Sequence, residues 1–186
     1  FNHNANKQVL SWLNQHKAEY ERIDLSFCGK RGYMFFRKRE NVKTFYKDVI
    51  GDPKFEDAIK IGKDIITAFH NKEYDEVYVA YNEFYSPISQ KTIFEQILPI
   101  DPKVLLKEEQ SKPAEYIFEP DSLQLLEFLI KYFIYFKIYF ALLENSAGEH
   151  GARMSAMENA TKNASELIDK YTLLRNRARQ AAITTE

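Results

Sequence analysis

The chain is poor in the residues that build most small functional sites. It holds a single cysteine, Cys28, in 186 residues, which excludes a disulfide framework and any paired-cysteine metal site. Its four histidines, His3, His16, His70 and His150, fall at no metal-ligand spacing. Neither sign of charge dominates: 26 Lys and Arg face 27 Asp and Glu, a net charge of −1. A nucleic-acid binder working through a broad basic field is therefore excluded. No Walker phosphate loop and no dinucleotide glycine fingerprint occurs. No charged-then-apolar leader opens the chain, and it starts on Phe1 rather than Met, which points to a shortened or processed chain. Proline is scarce too, and three of the six, Pro99, Pro102 and Pro113, crowd one polar stretch read as an exposed loop.

What is present is a packed core's worth of apolar residues, 45% of the chain. Ala5, Val9, Trp12 and Leu13 share one helical stripe within residues 2–18. Ile23, Leu25 and Phe27 alternate with polar residues as a strand ending at Gly29. A turn at Gly29-Lys30-Arg31-Gly32 leads to a short helix over 33–39, and residues 42–47 read as a strand. Phe55, Ala58, Ile59, Gly62, Ile65, Ile66 and Phe69 mark a second helix. Val77, Val79 and Tyr81 begin a strand and Thr92 to Leu98 form another, with Ser86-Pro87 in the connection, and Tyr116-Ile117-Phe118 reads as an edge strand. The alternation predicts a small α/β layered body.

From Asp121, a suitable N-cap, to Glu186 there is no proline, and seven alanines lie between Ala152 and Ala182. An unbroken helix of that length would run about 100 Å, well beyond a body of roughly 30–40 Å, so it must protrude. Gly148 and Gly151 are its weak points, at ~1 kcal/mol each relative to alanine, the place where a kink could sit. Of the 21 residues from Leu123 to Leu143, 17 are apolar or aromatic. Glu127, Lys131 and Lys137 interrupt them without a helical pairing that hides all three charges, which argues for a protein-covered helix rather than a membrane span. The aromatic run Tyr132, Phe133, Tyr135, Phe136, Tyr139 and Phe140 is accordingly read as core.

The far end carries a heptad seam. Met157, Ala164, Tyr171 and Ala178 lie seven apart, and Ala160, Leu167, Leu174 and Ala181 fall three later. Half are alanine, so a partner helix could approach closely. Lys162, Glu166, Asp169, Lys170 and Arg177 form the surface outside it. Elsewhere chemistry is thin. The Gly29–Gly32 turn is the nearest thing to an anion cradle, Cys28 reads as a buried small hydrophobe, and Asp24, Asp48 and Asp52 form no acid–base pair. The residues alone leave two readings open: a noncatalytic α/β body whose helix needs a partner, and a scaffold that self-associates through that seam. A small transferase using the Gly29 turn is disfavoured by the missing fingerprint.

Two segments carry a resemblance. Ala152-Arg153-Met154-Ser155-Ala156-Met157-Glu158-Asn159-Ala160-Thr161-Lys162-Asn163-Ala164 and Asn176-Arg177-Ala178-Arg179-Gln180-Ala181-Ala182-Ile183-Thr184-Thr185-Glu186 resemble the γ subunits of F-type ATP synthases. Phe1-Asn2 is similar to the end of that family's Gly-Leu-Cys-Gly-Gly-Phe-Asn segment, and Glu119-Pro120-Asp121 to the start of its last helix. Gly148 and Gly151 depart from it, since members usually carry Ser and Ala there. The resemblance implies an α/β fold, a small Rossmann-like layered domain over 1–119, then a protruding helix over 120–186 that is half of an antiparallel coiled coil. Against that family the chain reads as lacking the first helix and strand and the last residues. The implied function is a noncatalytic central stalk, or rotor shaft, that couples ion flow through the c-ring to ATP synthesis or hydrolysis at β-subunit sites. The implied partners are α and β subunits, the ε subunit and the c-ring, with no nucleic acid, no cofactor or metal, and only peripheral membrane association at the cytoplasmic face of a bacterial inner membrane. Carried over residue by residue, Arg179, Gln180 and Thr184 match a β-subunit catch contact, and Arg153 matches an arginine facing the β lever segment. Lys30 and Arg31 are expected near the foot. The cysteine pair used for redox control in chloroplast members is missing.

Overall fold

The computed structural model describes residues 2–47, 49–101 and 122–185. Its elements are helix α1 (Asn2–His16), strand β1 (Leu25–Cys28), helix α2 (Lys30–Phe36), strand β2 (Val42–Tyr46), helix α3 (Phe55–His70), strands β3 (Val77–Ser86) and β4 (Ser89–Leu98), and helix α4 (Ser122–Thr185). The expected loop over 99–113 falls almost wholly outside the described residues, as do the edge strand at 116–118 and the Asp121 cap.

The strands form two pairs: β1 with β2, parallel, and β3 with β4, antiparallel. A parallel pair needs a crossover, and α2 supplies it. Gly29 starts α2 at φ 94 with Ile50 packed against its Cα, and a Cβ on Gly32 would sit 2.9 Å from Phe27 Cδ1. Both glycines thus serve backbone conformation and close packing, a full physical account of the turn without an anion. Phe36, fully buried, stacks on Phe27, and Tyr33 stacks on Phe45.

α3 starts where Asp57 accepts the Lys54 backbone N–H at 3.2 Å, with Glu56 and Asp57 in its first turn to suit the helix dipole. Its apolar face meets β4 and α4 in a core of Val49, Ala58, Ile61, Ile97, Leu98, Ile134, Ile138 and Leu142. Trp12 of α1 stacks on Phe94 of β4.

The hairpin strands run ten residues each, the first continuing well past Tyr81 and the second starting three residues before Thr92. Asn82 breaks the apolar run, yet it is buried because the Thr92 hydroxyl donates to its side chain across the strands at 2.7 Å. A polar pair thereby continues the ladder. At the irregularity near Phe84, the Phe84 N–H donates to Glu144 of α4 at 2.7 Å, which ties the hairpin to the long helix.

α4 runs as one continuous helix through Gly148 and Gly151. A Cβ on Gly151 would lie 2.8 Å from Phe84 and 3.1 Å from Pro87, so this glycine admits the hairpin tip. The aromatic run is only partly core: Tyr135 is buried, but Phe136 and Phe140 are 59% and 47% exposed, because aliphatic Ile134, Ile138 and Leu142 take the inward stripe. As expected, Glu127 does not hide both lysines: it meets Lys131 at 3.9 Å with both side chains exposed, while Lys137 pairs with Glu95 of β4 at 2.5 Å. Among the described residues, no helix is long and apolar enough to cross a membrane.

Asp24 pins the segment before β1. Its side chain, only 6% exposed, accepts hydrogen bonds from Tyr74 at 2.7 Å, from Arg22 at 2.8 Å and from Asn41. Burial alone would raise the carboxyl, but these donors together hold it below the usual carboxylate range. A depressed folded-state pKa adds stability above the unfolded value near 4 that disappears as pH falls through the folded one. Asp24→Asn is therefore expected to cost about 1–3 kcal/mol at pH 7, with the gap from wild type closing under acid. Urea unfolding at neutral and strongly acidic pH checks it, and a gap independent of pH would contradict the assignment.

Candidate functional site

α4 changes character along its length. Its 64 residues span about 96 Å. The part up to Leu142 supplies the core. Near Gly151 the helix passes the hairpin tip. Ala152, Ser155, Ala156 and Asn159 then wall a polar cleft of about 420 Å³ together with Asn4 and Gln8 of α1 and Gln90 and Thr92 of β4. The sequence carries little trace of this cleft beyond Ala152, Ser155, Ala156 and Asn159 at a one-face spacing.

Beyond Asn159 the helix stands almost wholly exposed. All eight seam residues, Met157, Ala160, Ala164, Leu167, Tyr171, Leu174, Ala178 and Ala181, are exposed, with Met157 at 65% and Tyr171 at 64%. Ile168, Leu173 and Ile183 are exposed as well and lie outside the seam. Around residues 167–174 the apolar surface therefore wraps past one helix face, more than a single partner helix would cover. The heptad alone does not reveal this width; its signal in the sequence is the two apolar positions, 168 and 173, that lie outside the seam.

Arg179 and Gln180 are exposed near the tip. Thr184 donates its hydroxyl to the Gln180 carbonyl at 2.7 Å, so these three form one local group. Arg153 stands apart, 26 residues earlier and about 39 Å away along the axis. It is held by Glu149 at 2.7 Å, with the His150 ring 3.4 Å from its other nitrogen. Lys30 and Arg31 belong to α2 and join neither group. Chemically, the tip offers a guanidinium fork and an amide, groups that recognise carboxylates and carbonyls directionally. Burial, with a smaller contribution from Asp57, pushes the Cys28 thiol up to about 12, which leaves it an inert packing residue. Among the described residues no three His, Cys, Asp or Glu side chains gather as a metal site.

The family model described as ATP synthase matches residues 1–186. The chain is 40% identical over its whole length to the ATP synthase gamma chain of Geobacter sp. (strain M21), and 40% identical to that of Bdellovibrio bacteriovorus (strain ATCC 15356 / DSM 50701 / NCIMB 9529 / HD100). It spans 64% and 65% of those relatives' lengths. Among solved structures, a chain of the Tetrahymena thermophila mitochondrial ATP synthase central stalk and c-ring superposes with a TM-score of 0.62 at 21% identity, covering 84% of this chain and 69% of that one. A chain of the Euglena gracilis mitochondrial ATP synthase rotor gives 0.58 at 18% identity, covering 96% and 68%. These two likenesses establish the fold: a small sheet-containing body with a long C-terminal helix.

Proposed function

The chain belongs to the ATP synthase gamma-chain family, and from that membership we propose that it works as the central stalk of a rotary ATP synthase, a noncatalytic shaft that couples ion flow to nucleotide chemistry on other subunits. The observation that carries this reading is the exposed outer length of α4, whose apolar seam has no counterpart helix among the described residues. A contiguous exposed apolar surface of this kind marks an interaction site. Apolar residues beyond one helix face fit a shaft enclosed on several sides, whereas a two-stranded self-association needs only the seam. The partners are then α and β subunits around the helix, with the ε subunit and c-ring at the α/β body, at the cytoplasmic face of a bacterial inner membrane. A body over 1–119 and a shaft over 120–186 follow as the working units.

Torque needs contacts that differ between rotational positions. Arg179, Gln180 and Thr184 are proposed to engage a β-subunit loop at the tip, and Arg153 a β segment lower down. Lys30 and Arg31 are assigned to the foot. Guanidinium–carboxylate hydrogen bonds are directional and reversible, which suits contacts made and broken in turn.

Gel filtration with light scattering of purified α and β subunits, with and without this chain, tests the assignment. One copy entering a hexameric ring and raising ATP hydrolysis is the expected outcome. Separate elution as a dimer would favour the self-associating scaffold. In the assembled complex, Arg179→Ala and Gln180→Ala are each expected to lower ATPase turnover about tenfold, the equivalent of one charge-assisted or amide hydrogen bond lost from the rate-limiting state. Unchanged rates in both would remove the tip contact from the mechanism.

A further inference from the structure

Two glycines sit in α4 where a shaft should be stiffest. Leu142 is the last α4 residue in the core, and beyond Asn159 the helix is almost wholly exposed. Gly148 and Gly151 therefore occupy the root of the outer length, and glycines are where long helices bend. Arg179 lies 28 residues past Gly151, about 42 Å along the axis. A bend of about 10° at Gly151 would carry it sideways by about 7 Å, far more than a hydrogen bond tolerates. Yet α4 is continuous there, and the β3–β4 hairpin is seated on it at two points. Gly151 is the first. A Cβ there would lie 2.8 Å from Phe84 Cε2 and 3.1 Å from Pro87 Cα, so the missing side chain lets ring and turn press on the helix backbone. Glu144 is the second, accepting the Phe84 N–H at 2.7 Å. The ladder is irregular between Phe84 and Ser86, and a part-buried donor at such a place needs an acceptor.

Glu144, Gly148 and Gly151 follow one another at i, i+4 and i+7, one face of the helix, and the two attachments lie about 10 Å apart along it. Two points at that separation fix a helix's tilt as well as its position; a single point would leave it free to pivot. The tip itself is tightly built. Ser86 pairs with Ser89 across a two-residue turn. The Ser89 N–H donates to Ser86 Oγ at 3.1 Å, and the Gln90 side-chain amide donates to the Pro87 carbonyl at 3.2 Å. Pro87 holds its own φ fixed. The hairpin is thus stiff where α4 is soft. We propose that its tip is a brace, which holds α4 at Glu144 and Gly151 and passes a load on the outer helix into the body, in place of the stiffness that the glycines remove. Phe84, Pro87, Glu144 and Gly151 are positioning residues: they set the direction in which Arg179 and Gln180 are presented. That use rests on the stalk reading; the brace itself does not.

Pulsed electron-spin distance measurements on the whole chain test it, with nitroxide labels at Lys63→Cys of α3 and Lys162→Cys of α4 in a Cys28→Ser background. Both lysines are exposed. Gly62 packs on Tyr135 and Ile138, so the labels stand roughly 35–45 Å apart along α4. Dilution with unlabelled chain restricts the reading to pairs within one molecule. The otherwise unaltered chain should give one narrow distance distribution, and Phe84→Ala and Glu144→Ala should each broaden it about twofold or more. Glu144→Gln, which keeps an oxygen for the Phe84 N–H, should leave it narrow. Gly151→Leu is the decisive variant, because it raises helix propensity and expels the tip. The brace predicts broadening there, whereas a helix that owed its direction to itself would narrow. Glu144→Ala, a change at the edge of the core, keeps the comparison available if Gly151→Leu fails to fold. Narrowing in Gly151→Leu, or an unchanged width in both Phe84→Ala and Glu144→Ala, overturns the proposal. If the widths respond as stated while the chain never enters an αβ ring, the brace stands and the stalk reading falls. Entry into the ring with widths indifferent to these variants overturns the brace alone.

Discussion

Gly62→Val is expected to cost about 3 kcal/mol or more and to lower the thermal midpoint by roughly 6–12 °C. Gly62 sits mid-way along α3, fully inside the core, where α3 crosses α4. A Cβ there would meet the Tyr135 ring, 2.7 Å from Cε1 and closer still to Cδ1, and would lie 3.4 Å from Ile138. Intrinsic helix propensity pulls the other way, because replacing a helical glycine gains up to about 1 kcal/mol. The steric effect wins since Tyr135 is itself buried at 7% exposure and Phe55, Tyr132 and Tyr139 crowd the same seam of α3 and α4. The ring cannot swing away without opening the junction. Gly62→Ala should fall between, near neutral to about 2 kcal/mol destabilising. The decisive check is a double-mutant cycle: Tyr135→Leu should recover much of the loss in the Gly62→Val background while destabilising the wild type. Additive losses would mean that the tyrosine is not the obstacle.

That position also marks where reading a sequence stops. Gly62 is visible as part of an apolar helical stripe, and its membership of α3 follows from periodicity. Its reason for being glycine is the approach of α4, some seventy residues away, and no local pattern encodes that. Gly151 is the same case in reverse: local propensity reads it as a hinge, and the hairpin tip at Pro87 explains it instead. The elements with strong internal periodicity, α1, α3, α4 and the seam, were legible. So were β1 and β2 as short strands, whereas their parallel pairing was not. The hairpin's outer half was not, because Asn82 and Glu83 look like loop residues until Thr92 and Lys91 stand opposite them. The aromatic run at 132–140 misled for a related reason. Composition says only that apolar surface is plentiful, whereas the angular positions of Ile134, Ile138 and Leu142 decide which stripe faces inward. At the candidate site, the motif at 176–186 was readable, while the cleft beside Asn159 depends on four separate elements meeting, α1, β3, β4 and α4.

The seam offers the second large effect. Leu167→Asp combined with Leu174→Asp is expected to leave this chain's own thermal midpoint almost unchanged and to weaken its assembly with α and β subunits about a thousandfold or more. Both leucines are about half exposed, 51% and 48%, so within the chain they bury little, and exposed substitutions usually move stability by ~0.5 kcal/mol or less. In a covered seam each aspartate would lose its hydration and face apolar side chains without a donor. A loss of about 2–3 kcal/mol per site converts for two sites to the stated factor. Aspartates at Lys162 and Lys170, outside the heptad, change the charge by more but should weaken assembly far less. Analytical ultracentrifugation of the chain alone separates the two readings of the seam. If the wild type is monomeric and the leucine variant fails only in the presence of α and β subunits, the surface belongs to a stalk within a larger ring. If instead the wild type dimerises and the double variant abolishes that dimer, the helix is self-complementary and the rotor assignment loses its main structural support.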